Sequence, residues 1–303
     1  MRLPTHKLAY LALVLVFVLL WSSAFAAGKF AMQVSPPMLF LGSRFFLAGV
    51  LMVGFAVVMG HYRPVGVRGW FRLAVLGVLN QAGYQGLAWV AMGTVSSALA
   101  AVIISMNPIF IALLAVPMLG EHLSVRRVAG LALGIAGVVI VLNSRLTVSG
   151  EDLGGTLILA VSLMSMAVGS VLFKTWKVDA PLSVAIGGQF ISAGILLLAI
   201  GAVTEDWHDI VWGLQFALVM SYIVVGVSIC GVGLWFFLLS HGSASNASAL
   251  HFLMPPFGMM FGWLLLDEPV VAGDLIGIVP IAIGIWLATH TRKSAVTQST
   301  PVQ

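Results

Sequence analysis

Ten long runs of hydrophobic residues, separated by short polar segments, organise the chain. Each run is close to the ~20 residues that an α-helix needs to cross a hydrocarbon core about 30 Å thick. The pattern therefore predicts an all-α, polytopic membrane protein with ten transmembrane helices. The predicted spans are residues 8–30, 37–59, 70–91, 95–118, 124–143, 153–174, 181–203, 212–238, 244–266 and 270–290.

The composition agrees with a membrane-embedded chain. Of the 303 residues, 60% are hydrophobic and 8% are charged, whereas soluble domains average roughly 25% charged residues. The loops between the spans are short and leave no room for a soluble catalytic domain. The single cysteine, Cys230, lies inside an apolar run, so it cannot form a disulfide within the chain, and we expect a small buried hydrophobic residue.

The first hydrophobic run also has features of a secretory signal peptide. Arg2 and Lys7 precede it, and Ala24-Phe25-Ala26 resembles a cleavage site. The run is nevertheless long enough to span the bilayer, and its removal would break the internal repeat of the chain. We therefore predict a retained first helix.

Basic residues collect at alternate ends of the spans. If every span crosses the membrane, eleven of the fourteen Lys and Arg residues fall on one side. These are Arg2, Lys7, Arg63, Arg68, Arg72, Arg126, Arg127, Lys174, Lys177, Arg292 and Lys293. Lys29 and Arg145 fall on the other side, and Arg44 lies inside the second span. The positive-inside rule then predicts cytoplasmic N- and C-termini, and the net charge of +4 indicates topology rather than nucleic-acid binding.

The two halves of the sequence are related to each other. At an offset of 147 residues, Pro108 coincides with Pro255, Glu121 with Glu268, Gly130 with Gly277 and Gly137 with Gly284. At a slightly shorter offset, Arg44 coincides with Gln189. The chain is therefore predicted to contain two five-helix repeats, at residues 8–143 and 153–290, followed by a cytoplasmic tail at 291–303.

An odd number of spans in each repeat forces the two repeats into opposite orientations. Glu121 and Glu268 should therefore lie on opposite sides of the membrane. Inverted repeats are typical of secondary transporters, in which two similar halves exchange conformations around a central site. The pattern favours transport over the alternative, a duplication retained only for packing. The repeated glycines, such as Gly137 and Gly277, are expected at close helix contacts.

Four segments resemble EamA-type permeases of the drug/metabolite transporter superfamily. Trp21–Phe25 is similar to the start pattern of their first helix, and Pro37–Ala48 to that of their second. Asn107–Leu123 contains an Asn-Pro pair followed by Gly-Glu, which resembles their signature, and Pro255–Pro269 resembles its second copy. The resemblance implies a ten-helix permease of a bacterial inner membrane that moves small organic metabolites, most often outward. Two positions depart from the family pattern: Met254 stands where the family usually has glutamate, and Asp267 where it usually has glycine.

The third span carries the densest group of polar residues inside the predicted spans. Gln81, Tyr84 and Gln85 share one helical face at i, i+3 and i+4 spacing, with Asn80 beside them. Because polar groups are costly in hydrocarbon, we predict that this face lines a cavity and binds an amino-acid-like substrate. The alternative is hydrogen bonding between helices, worth only ~0.6 kcal/mol on average.

Further substrate-binding candidates lie in the first, fourth and ninth spans. Trp21, Ser22 and Lys29 belong to the first, where Ser22 and Lys29 share a face at i, i+7 and the long Lys29 side chain could also extend to the interface. Asn107 belongs to the fourth span and His251 to the ninth. His251 could carry a proton, and the alternative is a neutral, hydrogen-bonded histidine.

Arg44 lies about two turns inside the second span, and its role has two interpretations. The guanidinium could attract a carboxylate or a phosphate, or it could bond to helix ends and fix the fold. Because the family pattern has arginine here across varied substrates, we favour a structural role for Arg44 and for its repeat mate Gln189.

Pro108, Pro255, Glu121 and Glu268 are assigned to structure or gating. Each proline removes a backbone hydrogen bond from its span, so it could form a hinge beside the substrate or a simple packing kink. Each glutamate precedes a new helix, where a carboxylate is favourable beside the positive N-terminus.

Together these features predict a transporter that works by alternating access and exports small organic metabolites such as amino acids. We expect a central cavity lined by spans one, three, four, six, eight and nine, with a small-molecule substrate and the lipid bilayer as partners, no cofactor or metal, and a monomer or weak homodimer. Two alternatives remain: an importer of a sugar- or nucleotide-type metabolite, and a non-transporting membrane scaffold or sensor. An intramembrane enzyme is not expected, because the sequence has no HExxH, no GxSxG and no buried carboxylate pair.

Overall fold

The computed structural model describes residues 7–121, 123–148, 151–241 and 249–289. Arg2, Arg292, Lys293 and the tail predicted at 291–303 lie outside the described residues. Across the described ranges the secondary structure is helical, without a β-strand.

The described helices form ten consecutive spans, which we number α1 to α10. They are α1 (Lys7–Met32), α2 (Pro37–Val58), α3 (Val67–Gly77, Val78–Gly86 and Leu87–Met92), α4 (Ser97–Ile104 and Asn107–Leu119), α5 (Val125–Val148), α6 (Leu153–Trp176), α7 (Leu182–Thr204), α8 (Leu214–Ser221, Tyr222–Val232 and Gly233–His241), α9 (Ala249–Leu253 and Met254–Leu266) and α10 (Ala272–Thr289). Seven helices of the described chain are long and apolar enough to cross a membrane. The prediction of a ten-helix polytopic membrane protein is confirmed, with bounds that differ by only a few residues.

Large hydrophobic side chains cover the outside of the helix bundle. Phe55, Val203 and Val279, among many others, are exposed, as expected for residues that face lipid rather than water. Cys230 is exposed as well, so the expectation that it is buried is wrong. Gly231 and Val232, which follow it, are buried, so an apolar run does not show by itself which of its positions face lipid and which face the core.

The packing of the helices follows the internal repeat. The closest pairs are α2 with α7 and α5 with α10, each of which joins equivalent helices of the two repeats. In the same way, α3 packs on α6 and α7, while α8 packs on α1 and α2. This exchange of partners is what an approximate two-fold relation between inverted repeats produces.

Glycines allow these paired helices to approach closely, as the sequence predicted. A Cβ atom on Gly137 would lie 2.6 Å from the carbonyl oxygen of Gly277, and one on Gly49 would lie 2.7 Å from that of Gly187. Both distances are shorter than a Cβ contact tolerates, so larger residues here would separate α5 from α10 and α2 from α7.

Hydrogen bonds tie together the helix ends on one side of the bundle, which we call the Glu268 end. The carboxylate of Glu205 accepts from the backbone N–H groups of Met38 and Leu39 at 2.9 and 2.8 Å. The carboxylate of Glu151 accepts from the backbone N–H of Ser96 at 2.9 Å. These bonds cap the N-termini of α2 and α4.

The opposite side of the bundle is the Glu121 end. Here Nη1 of Arg72, in the first turns of α3, donates to the carbonyl oxygen of Trp176 at the end of α6, at 2.9 Å. Lys174, also near the end of α6, lies within electrostatic range of Glu121. Glu121 and Glu268 therefore lie at opposite ends of the molecule, as two inverted repeats require.

Asp152 begins α6 as its N-cap residue. Its carboxylate accepts from the backbone N–H of Gly155 at 2.5 Å, and such bonds stabilise the charged form and lower the pKa of Asp152. The stabilisation from this cap is present above the ordinary pKa of an aspartate and is lost as the pH falls through the lowered value.

Gly120 and Asp267 end the equivalent helices α4 and α9 in the left-handed conformation. Their φ angles are 65° and 54°. The following N–H groups, of Glu121 and Glu268, donate back to Ala115 and Gly262 at 3.3 and 3.1 Å. Asp267, which stands where the family pattern has glycine, therefore ends α9 with the same backbone geometry that Gly120 gives α4.

Asp267→Gly is expected to raise the free energy of unfolding by about 0.5–1 kcal/mol, because glycine adopts a positive φ without a steric penalty. The reciprocal change, Gly120→Ala, should lower it by about 1 kcal/mol. Thermal unfolding of the purified protein in detergent measures both changes. A lower stability for Asp267→Gly would contradict the prediction.

Interruptions occur at equivalent places in the two repeats. The π-helical segment of α3 (Val78–Gly86) corresponds to that of α8 (Tyr222–Val232). Pro108 and Pro255 each follow a break, so α4 and α9 are interrupted where the sequence predicted. The role of these breaks as hinges stays a prediction.

Candidate functional site

The described residues enclose a central cavity between the two repeats. It is narrow in this conformation, with a volume of about 30 Å³. Its lining residues are Trp21, Ala24, Phe25, Arg44, Tyr84, Gln85, Ala88, Trp89, Met92, Val227 and Val232. They come from α1, α2, α3 and α8. The expected contributions of α1, α3 and α8 are thus present, whereas α4, α6 and α9 supply none of the described lining residues and α2 was not expected.

The α3 wall follows from helical spacing and from the π segment. Tyr84, Gln85, Ala88, Trp89 and Met92 repeat at intervals of about four residues and so share one face. Tyr84 and Gln85 belong to the π-helical turn, a rare geometry that is frequently found at functional sites.

The polar cluster of α3 divides into two pairs. Tyr84 and Gln85 face the cavity. Gln81 lies behind them and accepts a hydrogen bond from Nε2 of Gln85 at 3.1 Å. Asn80 points between helices, where its Nδ2 donates to Oε1 of Gln189 at 3.1 Å. Tyr84 and Gln85 therefore lie where the cavity-lining interpretation places them. Asn80 and Gln189 instead make the hydrogen bond between helices that the alternative describes.

Arg44 is the charged residue of the described cavity wall. Its side chain is buried, with 1% of its surface exposed. Nε donates to the hydroxyl of Ser228 on α8 at 2.8 Å, and the guanidinium carbon lies 4.7 Å from the centroid of the Phe45 ring. Nη2 is enclosed and has no hydrogen-bond partner. Arg44 thus joins the two repeats and still has donor capacity beside the cavity.

An aromatic cluster surrounds His251 next to the cavity. The His251 ring lies 5.4 Å from Trp21, 5.9 Å from Phe17 and 4.6 Å from Trp235, measured between centroids and with edge-on geometry. Its Nε2 lies 3.4 Å from Nδ2 of Asn107. Trp21 separates this cluster from the cavity, so His251 and Asn107 support the cavity wall rather than line it.

Ser22 and Lys29 lie at different depths of α1. The hydroxyl of the buried Ser22 donates to the carbonyl oxygen of Met254 at 3.4 Å, and so contacts α9. Lys29 is half-buried near the Glu268 end, where Nζ donates to the carbonyl oxygens of Met92 and of Val95, the latter at 2.7 Å. Neither side chain lines the described cavity.

A second pocket, which we call the vestibule, adjoins the cavity at the Glu268 end. Lys29, Gln33, Met92 and Glu268 are among its lining residues. Met92 also lines the cavity, so this side chain separates the two spaces. Lys29 belongs to the first repeat and Glu268 to the second, and the two charges attract each other across the vestibule.

Glu268 caps a helix, but a different one from the helix expected. Its carboxylate accepts from the N–H of Ser97 at 2.8 Å, from the hydroxyl of Ser97 at 3.0 Å and from the N–H of Ala98 at 3.1 Å. It therefore stabilises the N-terminus of α4 in the other repeat, and the expectation that it serves the following helix α10 is wrong. Glu268 is close to α10 in the sequence, but the packing of the two repeats brings the N-terminus of α4 within hydrogen-bonding distance of its carboxylate.

Sequence reasoning found the polar side of the cavity and missed its apolar side. Phe25 and Trp89 follow Trp21 and Gln85 by one helical turn, so the same spacing argument extended by one turn would have found them. Val227 and Val232 have no such signal, because an apolar residue in an apolar helix is not distinctive. Within the described ranges, no group of three or more His, Cys, Asp or Glu side chains could hold a metal ion.

Comparisons with known proteins agree with this architecture. A family model described as "EamA-like transporter family" matches residues 8–143 and 153–290. A solved crystal structure superposes with a TM-score of 0.72 at 21% identity, over 92% of this chain and 96% of that one. At this identity the likeness concerns the fold alone.

Several curated relatives are transporters by name. The uncharacterized transporter YvbV of Bacillus subtilis is 30% identical, over 93% of this chain and 92% of its own. The S-adenosylmethionine/S-adenosylhomocysteine transporter of Chlamydia trachomatis is 27% identical, over 92% and 89%. A WAT1-related chloroplastic protein of Arabidopsis thaliana is 29% identical over 88% of this chain, which spans 66% of that plant protein.

Proposed function

The chain belongs to the EamA-like transporter family, and from that premise we propose that this multi-pass membrane protein exports small organic metabolites, such as amino acids, by alternating access. The observation that carries the proposal is the central cavity, which both repeats build and in which Arg44, Tyr84 and Gln85 stand among aromatic and aliphatic side chains. A few polar groups in an apolar cavity are typical of small-molecule sites.

The two ends of the molecule support the alternating-access part of the proposal. At the Glu268 end, Lys29 of the first repeat faces Glu268 of the second. At the Glu121 end, Lys174 of the second repeat faces Glu121 of the first. Each end thus has an equivalent charge pair that joins the repeats, and weakening one pair while the other forms would open the cavity to one side at a time.

The same features support the location and the oligomeric state that we propose. The basic residues of the Glu121 end support a bacterial inner-membrane protein with cytoplasmic N- and C-termini. Because one chain supplies every described wall of the cavity, a monomer contains a complete site, and a homodimer would add nothing to it.

Transport by the purified protein in liposomes tests the proposal. We expect saturable flux for at least one class of amino acid or organic acid in a radiolabelled panel. The relative that carries S-adenosylmethionine makes that nucleoside-containing metabolite the second candidate, so it belongs in the panel. Absence of flux for every solute, in protein shown to be folded, would support a scaffold or sensor instead.

Tyr84→Phe and Gln85→Ala are expected to raise the KM for the transported solute by about two- to tenfold, because each removes a hydrogen-bonding group from the cavity wall, worth about 0.5–1.5 kcal/mol. Initial rates of uptake into liposomes measure the change. Val90→Ala on the same helix is the control, since Val90 is exposed to lipid. An unchanged KM in both cavity variants would remove α3 from the site.

A further inference from the structure

The buried guanidinium of Arg44 has an incomplete set of partners. Burial of a charge in hydrocarbon is costly unless an opposite charge and hydrogen bonds compensate it. Nε has Ser228 as an acceptor at 2.8 Å, yet Nη2 is enclosed without an acceptor. Among the described residues, no Asp or Glu carboxylate lies within 4.0 Å of Arg44. The compensating anion is therefore not supplied by the described part of the chain.

Two contacts fix the guanidinium of Arg44 in the cavity wall. The Ser228 hydroxyl fixes the Nε side of the planar guanidinium, and the Phe45 ring lies against the group at 4.7 Å. Arg44 is also one of the residues that line the cavity. Because the group is planar and fixed at Nε, its two Nη donors keep the fork geometry that matches the two oxygens of a carboxylate, and Nη2 has no acceptor within the described protein.

The repeat mate of Arg44 lacks this property. Gln189 is fully buried, and its amide is engaged by Asn80 and by the carbonyl oxygen of Ala185 at 3.1 Å each. Among the described lining residues, Arg44 is therefore the one cationic side chain, and the other repeat adds no equivalent. One guanidinium compensates a monoanion, whereas a phosphate dianion would leave excess negative charge in an apolar space.

The remaining walls complete the recognition chemistry. Trp21, Phe25 and Trp89 offer aromatic faces beside the guanidinium. We propose that Arg44 is the carboxylate-binding residue of the cavity, and that the solutes are amphipathic monocarboxylates whose apolar body lies against these three side chains. This assignment rests on the proposed transport function and names its substrate class; it also replaces the structural role that the sequence favoured for Arg44.

Ligand-induced thermal stabilisation of the purified protein tests the assignment without a variant. The probes are 3-phenylpropionate, its neutral amide 3-phenylpropanamide, and phenyl phosphate. We expect the acid to raise the unfolding temperature in a saturable way and the other two to have little effect. Equal stabilisation by acid and amide, stronger stabilisation by the phosphate, or no stabilisation by the acid would each overturn the proposal.

Variants then locate the binding group. Arg44→Met should weaken the apparent affinity for 3-phenylpropionate at least tenfold, and Arg44→Lys, which keeps the charge but not the fork, should lie between it and the unaltered protein. Arg68→Met is the matched control, because it removes the same charge from an exposed position. Unchanged affinity in a folded Arg44→Met protein would overturn the assignment.

Flux measurements separate this proposal from the transport function. Solute flux that is indifferent to Arg44→Met would overturn the carboxylate site and leave transport standing. Binding of the acid that depends on Arg44, with no flux of any solute, would overturn transport and leave the site standing.

Discussion

Replacing Asp274 with alanine is expected to lower the free energy of unfolding by about 3 kcal/mol, because it removes the nearer of the two carboxylates that compensate the buried Arg145 and leaves only Glu151, at 3.9 Å. Nη2 and Nε of Arg145 lie 2.6 and 3.0 Å from the two carboxylate oxygens of Asp274, and both side chains are buried. The pair joins α5 to α10 at the Glu268 end. Thermal or denaturant unfolding in detergent, followed by tryptophan fluorescence, measures the loss.

A double variant distinguishes the ion pair from mere packing. Arg145→Leu with Asp274→Leu removes both charges of the nearer pair, and we expect it to recover part of the stability that Asp274→Ala loses, because the guanidinium is no longer buried and Glu151 keeps its hydrogen bonds to Ser96. Leu275→Ala is the control on the same helix, where an exposed side chain should matter by no more than about 0.5 kcal/mol. A double variant as unstable as Asp274→Ala would contradict the interpretation.

Glu268→Gln is expected to shift the conformational equilibrium about thirtyfold towards the state that is open at the Glu268 end. The change weakens the charge-assisted bonds to Ser97 and Ala98 and the attraction to Lys29. A loss of about 2 kcal/mol corresponds to this factor. The measurement is the labelling rate of Met92→Cys, at the buried position between the vestibule and the cavity, in a Cys230→Ser background that removes the exposed native thiol.

The repeat supplies the matched control for this prediction. Glu121→Gln should shift the equilibrium the other way, so that a cysteine at the buried position Ala185, in a pocket that also contains Lys174, is labelled faster and one at Met92 more slowly. Shifts in the same direction for both glutamates, or no shift in either, would show that the charge pairs do not control access.

The fold was largely predictable because its signals are local. Span length, alternating charge and the offset between the repeats each depend on residues close in sequence or on direct comparison of two segments. The breaks before Pro108 and Pro255 belong to the same class, since proline cannot donate the backbone hydrogen bond that a continuous helix needs.

The site was predictable only in part, because its walls come from helices far apart in the chain. Tyr84 and Gln85 could be found from their polarity inside an apolar span. The partners of Arg44 and Glu268 could not, since Ser228 and Ser97 lie more than a hundred residues away in sequence.

The amino-acid sequence by itself determined that this chain crosses the membrane as ten helices in two inverted repeats, since hydrophobic length and charge bias act at each helix separately. Only the tertiary structure decided which polar groups are compensated and which are not. It gave Arg145 a carboxylate and Glu268 a helix N-terminus, and it left Arg44 beside the cavity with a donor unused. Compensation of a buried charge depends on distances of a few ångströms between side chains of different helices. These distances cannot be read from the order of residues along the chain.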